Sequence, residues 1–207
     1  MHRKSRALAL FSGLLLLQSC GYYPPSVASS EEVLRLDPSH VSLRVRALPD
    51  EAIPALESRK NLEMLFFSDG NAVMEARITD RGLCELSRLS LPRLRLLDLG
   101  YCRKISDRGI SCLPALTSVK RLALLGCPGV SGEGLRSLRK MDGLVDLDLR
   151  GCEVTDADIY NLRSMQNLES IELGGCRKVT SAGVRRLQRQ MPNTRVEKDE
   201  REWSYHQ

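Results

Sequence analysis

Apolar residues along this chain recur in two interlocked patterns. The first is Leu94-x-x-Leu97-x-Leu99-x-x-Cys102, which returns as Val119-x-x-Leu122-x-Leu124-x-x-Cys127, Leu144-x-x-Leu147-x-Leu149-x-x-Cys152 and Leu168-x-x-Ile171-x-Leu173-x-x-Cys176. The four cysteines stand 25, 25 and 24 residues apart. An earlier copy, Leu62-x-x-Leu65-x-Phe67-x-x-Gly70, carries Gly for Cys, and a degenerate one, His40-x-x-Leu43-x-Val45-x-x-Leu48, stands first. The alternation of period two predicts a short strand in each copy, with Leu inward and variable residues outward.

A second pattern follows each copy: Ile78-Thr-Asp-Arg-Gly82-Leu83, Ile105-Ser-Asp-Arg-Gly109-Ile110, Val130-Ser-Gly-Glu-Gly134-Leu135, Val154-Thr-Asp-Ala-Asp158-Ile159 and Val179-Thr-Ser-Ala-Gly183-Val184. Thr79, Ser106, Ser131, Thr155 and Thr180 stand where an N-cap belongs, so a helix of about ten residues is predicted to return across the back of each strand. A single such unit cannot cover its own apolar face, so the units must stack. The helical segment Ser181 to Met191 is rich in Arg and Gln, as a terminal cap requires, and Pro192 to Val196 reads as one last strand.

These linked motifs resemble the cysteine-containing leucine-rich repeat of F-box/leucine-rich-repeat and antagonist-of-mitotic-exit-network proteins, over about Val41 to Val196. The resemblance implies an α/β fold: a right-handed solenoid, a short horseshoe with parallel strands on the concave face and helices on the convex face. No F-box-like module precedes the repeats in residues 21–61, so a ubiquitin-ligase role is not carried over with them.

The first residues carry a different message. Arg3, Lys4 and Arg6 precede an apolar run from Ala7 to Leu17, too short to span a bilayer and suited to a signal peptide. Leu17-Gln18-Ser19-Cys20-Gly21 resembles the lipobox of bacterial lipoproteins, with Gln18 a less usual residue there. The resemblance implies loss of residues 1–19, lipidation of Cys20 and a membrane anchor at the cell envelope; Gly21 after the cysteine points to the outer membrane. Residues 20–39 then read as a lipidated Cys and flexible tether, 40–196 as the solenoid and 197–207 as a polar tail with a lone Trp203. Nineteen flexible residues would span roughly 24 Å.

Composition removes several functions. The net charge of +5 rests largely on the leader: removing Arg3, Lys4 and Arg6 from 31 basic residues leaves 28 against 26 acidic ones. No basic stripe for nucleic acid remains. Cys102, Cys127, Cys152 and Cys176 share one repeat position and are expected as a buried ladder of thiols whose parallel Cβ vectors disfavour bridging. Cys84 and Cys112 fall in the helical halves and are likewise expected inward. No metal is expected, since no two cysteines lie two to four residues apart and the histidines are only His2, His40 and His206. No phosphate-binding loop or nucleophile–base arrangement appears, so neither enzyme chemistry nor a cofactor is expected.

Outward strand positions are therefore the candidate site. The central row reads Phe66, Asp98, Ala123, Asp148, Glu172, flanked by Met64, Leu96, Arg121, Asp146, Ser170 and by Ser68, Gly100, Leu125, Arg150, Gly174. The repeat beginning at Leu62 carries about seven extra residues, placed within 69–77 at the rim of this face. The expected contact is Met64, Phe66, Leu96 and this loop, with Asp98, Asp146, Asp148 and Glu172 adding charge selectivity and Arg121 and Arg150 interleaved. The competing expectation is that the loop, or Tyr22-Tyr23, folds over Phe66 and caps the solenoid. The sequence thus reads as a monomeric, membrane-anchored module binding a protein or peptide. Two alternatives stand beside it: an intracellular substrate-recognition adaptor of the F-box/leucine-rich-repeat type, and an architectural envelope protein without a specific ligand.

Overall fold

Leu43, Leu65, Leu97, Leu122, Leu147, Ile171 and Val196 form one continuous row down the middle of a seven-stranded parallel sheet. The computed structural model describes residues 24–45, 47–68 and 76–198. Its strands are β1 (Ser42–Arg44), β2 (Met64–Phe66), β3 (Leu96–Asp98), β4 (Arg121–Ala123), β5 (Asp146–Asp148), β6 (Ser170–Glu172) and β7 (Arg195–Glu197), paired in chain order. Strictly sequential pairing is what a solenoid requires, since each unit touches only its neighbours. At the usual strand spacing, seven strands extend roughly 29 Å. The architecture is a leucine-rich-repeat solenoid, as the repeats predict.

The chain returns between strands through helices on the convex side: α1 (Ser30–Arg35), α2 (Asp80–Arg88), α3 (Asp107–Ile110), α4 (Gly132–Leu138), α5 (Asp156–Tyr160) and α6 (Ser181–Gln190). The uniform ten-residue return expected from the pattern holds only for α2 and α6. Elsewhere the path finishes as 3-10 turns, at Leu113–Ala115 after α3 and at Asn161–Ser164 after α5, while Asp50–Ser58 is wholly 3-10 around Pro54. Proline forces the tightening at 54 and 114, because it lacks the N–H an α-helix needs. Inward residues of strands and returns, from Val27 to Met191, form one hydrophobic core.

Thr79, Ser106, Ser131, Thr155 and Thr180 are all N-caps, as predicted. A carboxylate adds a tie between repeats. Asp80 accepts the Ser106 N–H and hydroxyl at 2.7 and 2.6 Å, and Asp156 accepts the same pair from Thr180 at 2.7 and 2.6 Å. Asp50 serves Thr79 and Asp107 serves Ser131 in the same way. Glycine three residues into the following helix makes room: a Cβ on Gly109 or Gly134 would come within 2.5 Å of the Asp80 or Asp107 Oδ1.

The cysteines behave in two ways. Cys102, Cys127, Cys152 and Cys176 are buried free thiols, as the ladder predicts. Cys127, Cys152 and Cys176 donate to the carbonyls of Leu99, Leu124 and Leu149 in the preceding repeat, with sulfur–oxygen distances of 3.1, 3.1 and 3.0 Å. Burial pushes the Cys176 thiol up to about 11 and Cys127 to about 12, so neither is a nucleophile at neutral pH. Cys84 and Cys112, by contrast, are joined by a disulfide between α2 and the turn after α3. This corrects the expectation of inward thiols. The early end of α3 places Cys112 beside Cys84 of the previous unit, with Cα atoms 5.2 Å apart.

The segment expected as a tether is also largely built into the fold. Val27 donates to the Arg44 carbonyl at 2.8 Å and Arg44 donates to that of Pro25 at 2.9 Å, so residues 25–27 run parallel to β1. Val33 of α1 is fully buried, and the buried Arg59 guanidinium donates to the Leu36 and Asp37 carbonyls at 2.9 and 2.6 Å. Val27 and Val33 supply the apolar surface that covers the open end of the first repeat.

Candidate functional site

Three outward rows cover the concave face, and their register is the one expected. Met64, Leu96, Arg121, Asp146 and Ser170 align, as do Phe66, Asp98, Ala123, Asp148 and Glu172. The described strands extend these rows at both ends, to Ser42 and Arg44 in β1 and to Arg195 and Glu197 in β7.

The face is more closed than its register suggests. Phe66 is 5% exposed, Asp98 6%, Asp146 2% and Asp148 1%. Each sits on short strands about 4.8 Å apart, where curvature drives neighbouring side chains together. Phe66 is thus a covered ring rather than a free anchor. Met64, Leu96, Arg121, Arg150 and Glu172 are half-buried, as are Ala123 and Leu125. Residues 69–75 of the rim loop, and Tyr22-Tyr23, lie outside the described residues. Ala76, at the loop's end, is buried.

Arginines already hold the acidic row expected to add charge selectivity. Arg150 grips Asp148 with both guanidinium edges, Nε to Oδ1 at 2.9 Å and the terminal nitrogen to Oδ2 at 2.5 Å. Arg121 pairs with Asp146 at 3.3 Å. Arg195 reaches Glu172 at 3.4 Å and Glu197 at 3.0 Å. The repeat pattern does not single out Arg195 and Arg44, which belong to the outermost strands, whose copies of the motif are the most degenerate. Such paired charges fix the rotamers of the face more than they attract a distant partner.

Asp98 is the exception. It accepts the Gly100 N–H at 2.8 Å, and among the described residues no arginine clasps it as Arg150 clasps Asp148. Burial, reinforced by the charge of Asp148, raises its carboxyl to about 6, against the pull of the Gly100 N–H, Arg44 and Arg150. Burial likewise pushes Asp146 and Glu172 upward. Between Asp98 and Asp148 the row holds the small, half-buried Ala123, with Arg121 and Leu125 two residues before and after it and Arg150 two residues past Asp148. Among the described residues no cluster of His, Cys, Asp and Glu forms a metal site.

At the turn after each strand, Tyr101 (φ 57°) holds the left-handed conformation that Gly126, Gly151 and Gly175 hold in later repeats. Its ring lies against Gly126, where a Cβ would meet it at 2.7 Å. A β-carbon is strained in this region, so Tyr101 is held by packing at the rim.

A family model described as Leucine Rich repeat matches residues 91–113. Antagonist of mitotic exit network protein 1 of Candida glabrata is 31% identical over 112 residues, covering 50% of this chain and 21% of that protein. The protein of the same name from Eremothecium gossypii is 29% identical over 100 residues, covering 45% of this chain and 26% of its own. The chain therefore spans about a fifth to a quarter of the length of these relatives. Among solved structures, an internalin from Listeria monocytogenes superposes with a TM-score of 0.50 at 18% identity, over 76% of this chain and 47% of its own. That likeness is one of fold.

Proposed function

We propose that this chain is a protein-interaction module, anchored to a bacterial envelope membrane through a lipidated Cys20, that binds a peptide or protein on its concave face. The observation that carries the location is the Cys84–Cys112 disulfide. Such bonds persist in exported proteins and are reduced in the cytosol, so the bond agrees with the lipobox-like Leu17-Gln18-Ser19-Cys20. The half-buried outward positions around Ala123 support the binding role, with Met64, Leu96 and Leu125 as apolar shelf and Arg121 and Arg150 as polar border. Asp146 and Asp148 contribute by fixing that border and Glu172 by holding Arg195, while Phe66 and Asp98 are buried on the neighbouring strands.

A second reading, an intracellular adaptor, is favoured by the likeness to the mitotic-exit proteins. In that setting the chain would keep residues 1–19 and the Cys84–Cys112 pair would be reduced. Intact mass of the full chain expressed in a bacterium, against Cys20→Ser, separates the two. Loss of nineteen residues with added acyl mass, abolished by the substitution, is expected; an uncleaved, unmodified chain would overturn the anchor. For the binding role, a photo-crosslinking residue is placed at position 123 or, on the convex side, at position 163. Adducts at 123 alone are expected. Equal yields at both, or none at 123, would leave the architectural reading.

A further inference from the structure

We infer that the edge of the solenoid from which the strands start lies against the membrane and docks on anionic phospholipid headgroups through Arg93, Arg95, Lys120, Arg139 and Lys140. This rests on the anchor proposed above. The direction of residues 25–27 carries the first half of the inference. They run parallel to β1, since Arg44 donates to Pro25 and Val27 donates to Arg44. The chain therefore enters the fold at the starting edge of the strands, not at the opposite rim or on the convex face. Only residues 21–23 separate Cys20 from Pro24, so the sulfur-bearing residue lies at most about 14 Å from the folded chain. A tether that short leaves the starting edge nearest to the lipid.

Charge carries the second half. The turns entering β3, β4 and β5 (residues 88–95, 113–120 and 138–145) hold six cations, Arg88 and the five just named, against one carboxylate, Asp142. The turns leaving the same strands (residues 99–109, 124–134 and 149–159) hold four cations against five carboxylates. Arg88 and Arg139 close helices, where the helix dipole favours a positive charge. Arg93, Arg95, Lys120 and Lys140 lie past the helix ends and have no such reason to be cationic. Arg93 donates to the Asn61 side chain at 3.1 Å, Arg95 to the Ser118 carbonyl at 3.3 Å and Arg139 to the Ser164 hydroxyl at 2.9 Å. Among the described residues none of the five forms an ion pair with a carboxylate. Glu63 and Glu169 bound the cluster at its two ends. A surface of phosphate groups within a Debye length, about 8 Å at physiological salt, supplies what this edge lacks. So docked, the solenoid stands on its edge and leaves its concave face open to the side.

The test uses mature acylated protein in phosphatidylcholine vesicles containing phosphatidylglycerol and a headgroup quencher. A genetically encoded fluorescent residue replaces Thr117, at the starting edge, or Arg103, at the opposite rim. Quenching at 117 several-fold above that at 103 is expected. The contrast should fall several-fold, to what the short tether alone produces, when Arg93, Arg95 and Lys120 are all changed to Glu, and in vesicles of phosphatidylcholine alone. Equal quenching at both positions in the parent, or a contrast unchanged by charge reversal, would overturn the docking. Intact mass is read on the same samples, so failure of acylation is seen separately from failure of orientation.

Discussion

Asp158 fills the space that a β-carbon on Gly132 would need. A Cβ built at Gly132 would overlap the Asp158 Oδ1, and Asp158 in turn accepts the Thr155 N–H and hydroxyl at 2.9 and 2.8 Å. In four other units the carboxylate comes from the first helical residue of the preceding repeat, with glycine at the third helical residue of the next. Here the two residue types have exchanged places. The N-cap receives the same carboxylate from its own helix, and the preceding repeat surrenders its side chain to make room.

The exchange predicts compensation. Gly132→Asp alone brings two carboxylates together, and Asp158→Gly alone leaves Thr155 without its partner. Each is expected to destabilise by roughly 1–3 kcal/mol. The double variant restores the arrangement of Asp107 and Gly134 and is expected within about 1 kcal/mol of the parent. Urea denaturation of the four proteins measures the coupling; additive losses would show that the two sites do not share one carboxylate position.

Asp98 predicts a pH dependence of unusual sign. Its carboxyl titrates near 6 in the fold, against 3.8 as the ordinary value. The native state therefore holds a proton between these limits that the unfolded chain has released. Stability from this group is full below about pH 4 and is lost as pH rises through 6, by at most about 3 kcal/mol. Asp98→Asn keeps an acceptor for the Gly100 N–H without the charge. Denaturation at pH 4.5 and pH 7 should show the parent losing more stability than the variant over that interval; parallel behaviour would mean that Asp98 is not desolvated.

Leu149 tests the register. It is fully buried at the inward position after β5, and its carbonyl receives the Cys176 thiol. Leu149→Ala is expected to cost about 2–5 kcal/mol. An unchanged melting temperature would place this residue outside the core.

Strand register, N-caps and the cysteine ladder were legible because each is set by local spacing repeated several times. The closure of the concave face was not, since it depends on curvature and on neighbours one strand away. Phe66 stands in an outward position, yet Arg44 and Asp98 occupy the positions on either side of it. The capping role of residues 25–35 was hidden for a related reason. Val27 and Val33 stand in a stretch without repeat periodicity, beside an exposed Leu34, and only the uncovered end of the first repeat gives them a place. The cysteine pair left a signal that was there to read. Cys84 and Cys112 are separated by 28 residues, one more than the 27 between the N-caps Thr79 and Ser106, so they fall on neighbouring convex positions.

That pair supports a final prediction, in which the two classes of cysteine separate chemically. Closing a loop of this length restricts the unfolded chain by about 3–4 kcal/mol in the chain-entropy model. Reduction, or Cys84→Ser with Cys112→Ser, is expected to lower stability by up to that amount. The four ladder thiols should resist alkylation in the native protein at pH 8, because burial pushes each of them up, Cys127 to about 12 and Cys176 to about 11. Peptide mass mapping after alkylation reads both. Native protein should show Cys102, Cys127, Cys152 and Cys176 unmodified; denaturation without reductant should label these four while Cys84 and Cys112 stay linked. Labelling of Cys84 and Cys112 in denatured, unreduced protein purified from the bacterial envelope would show that the bridge does not form there. The oxidising location would then lose its structural support, leaving the lipobox-like sequence alone to carry it.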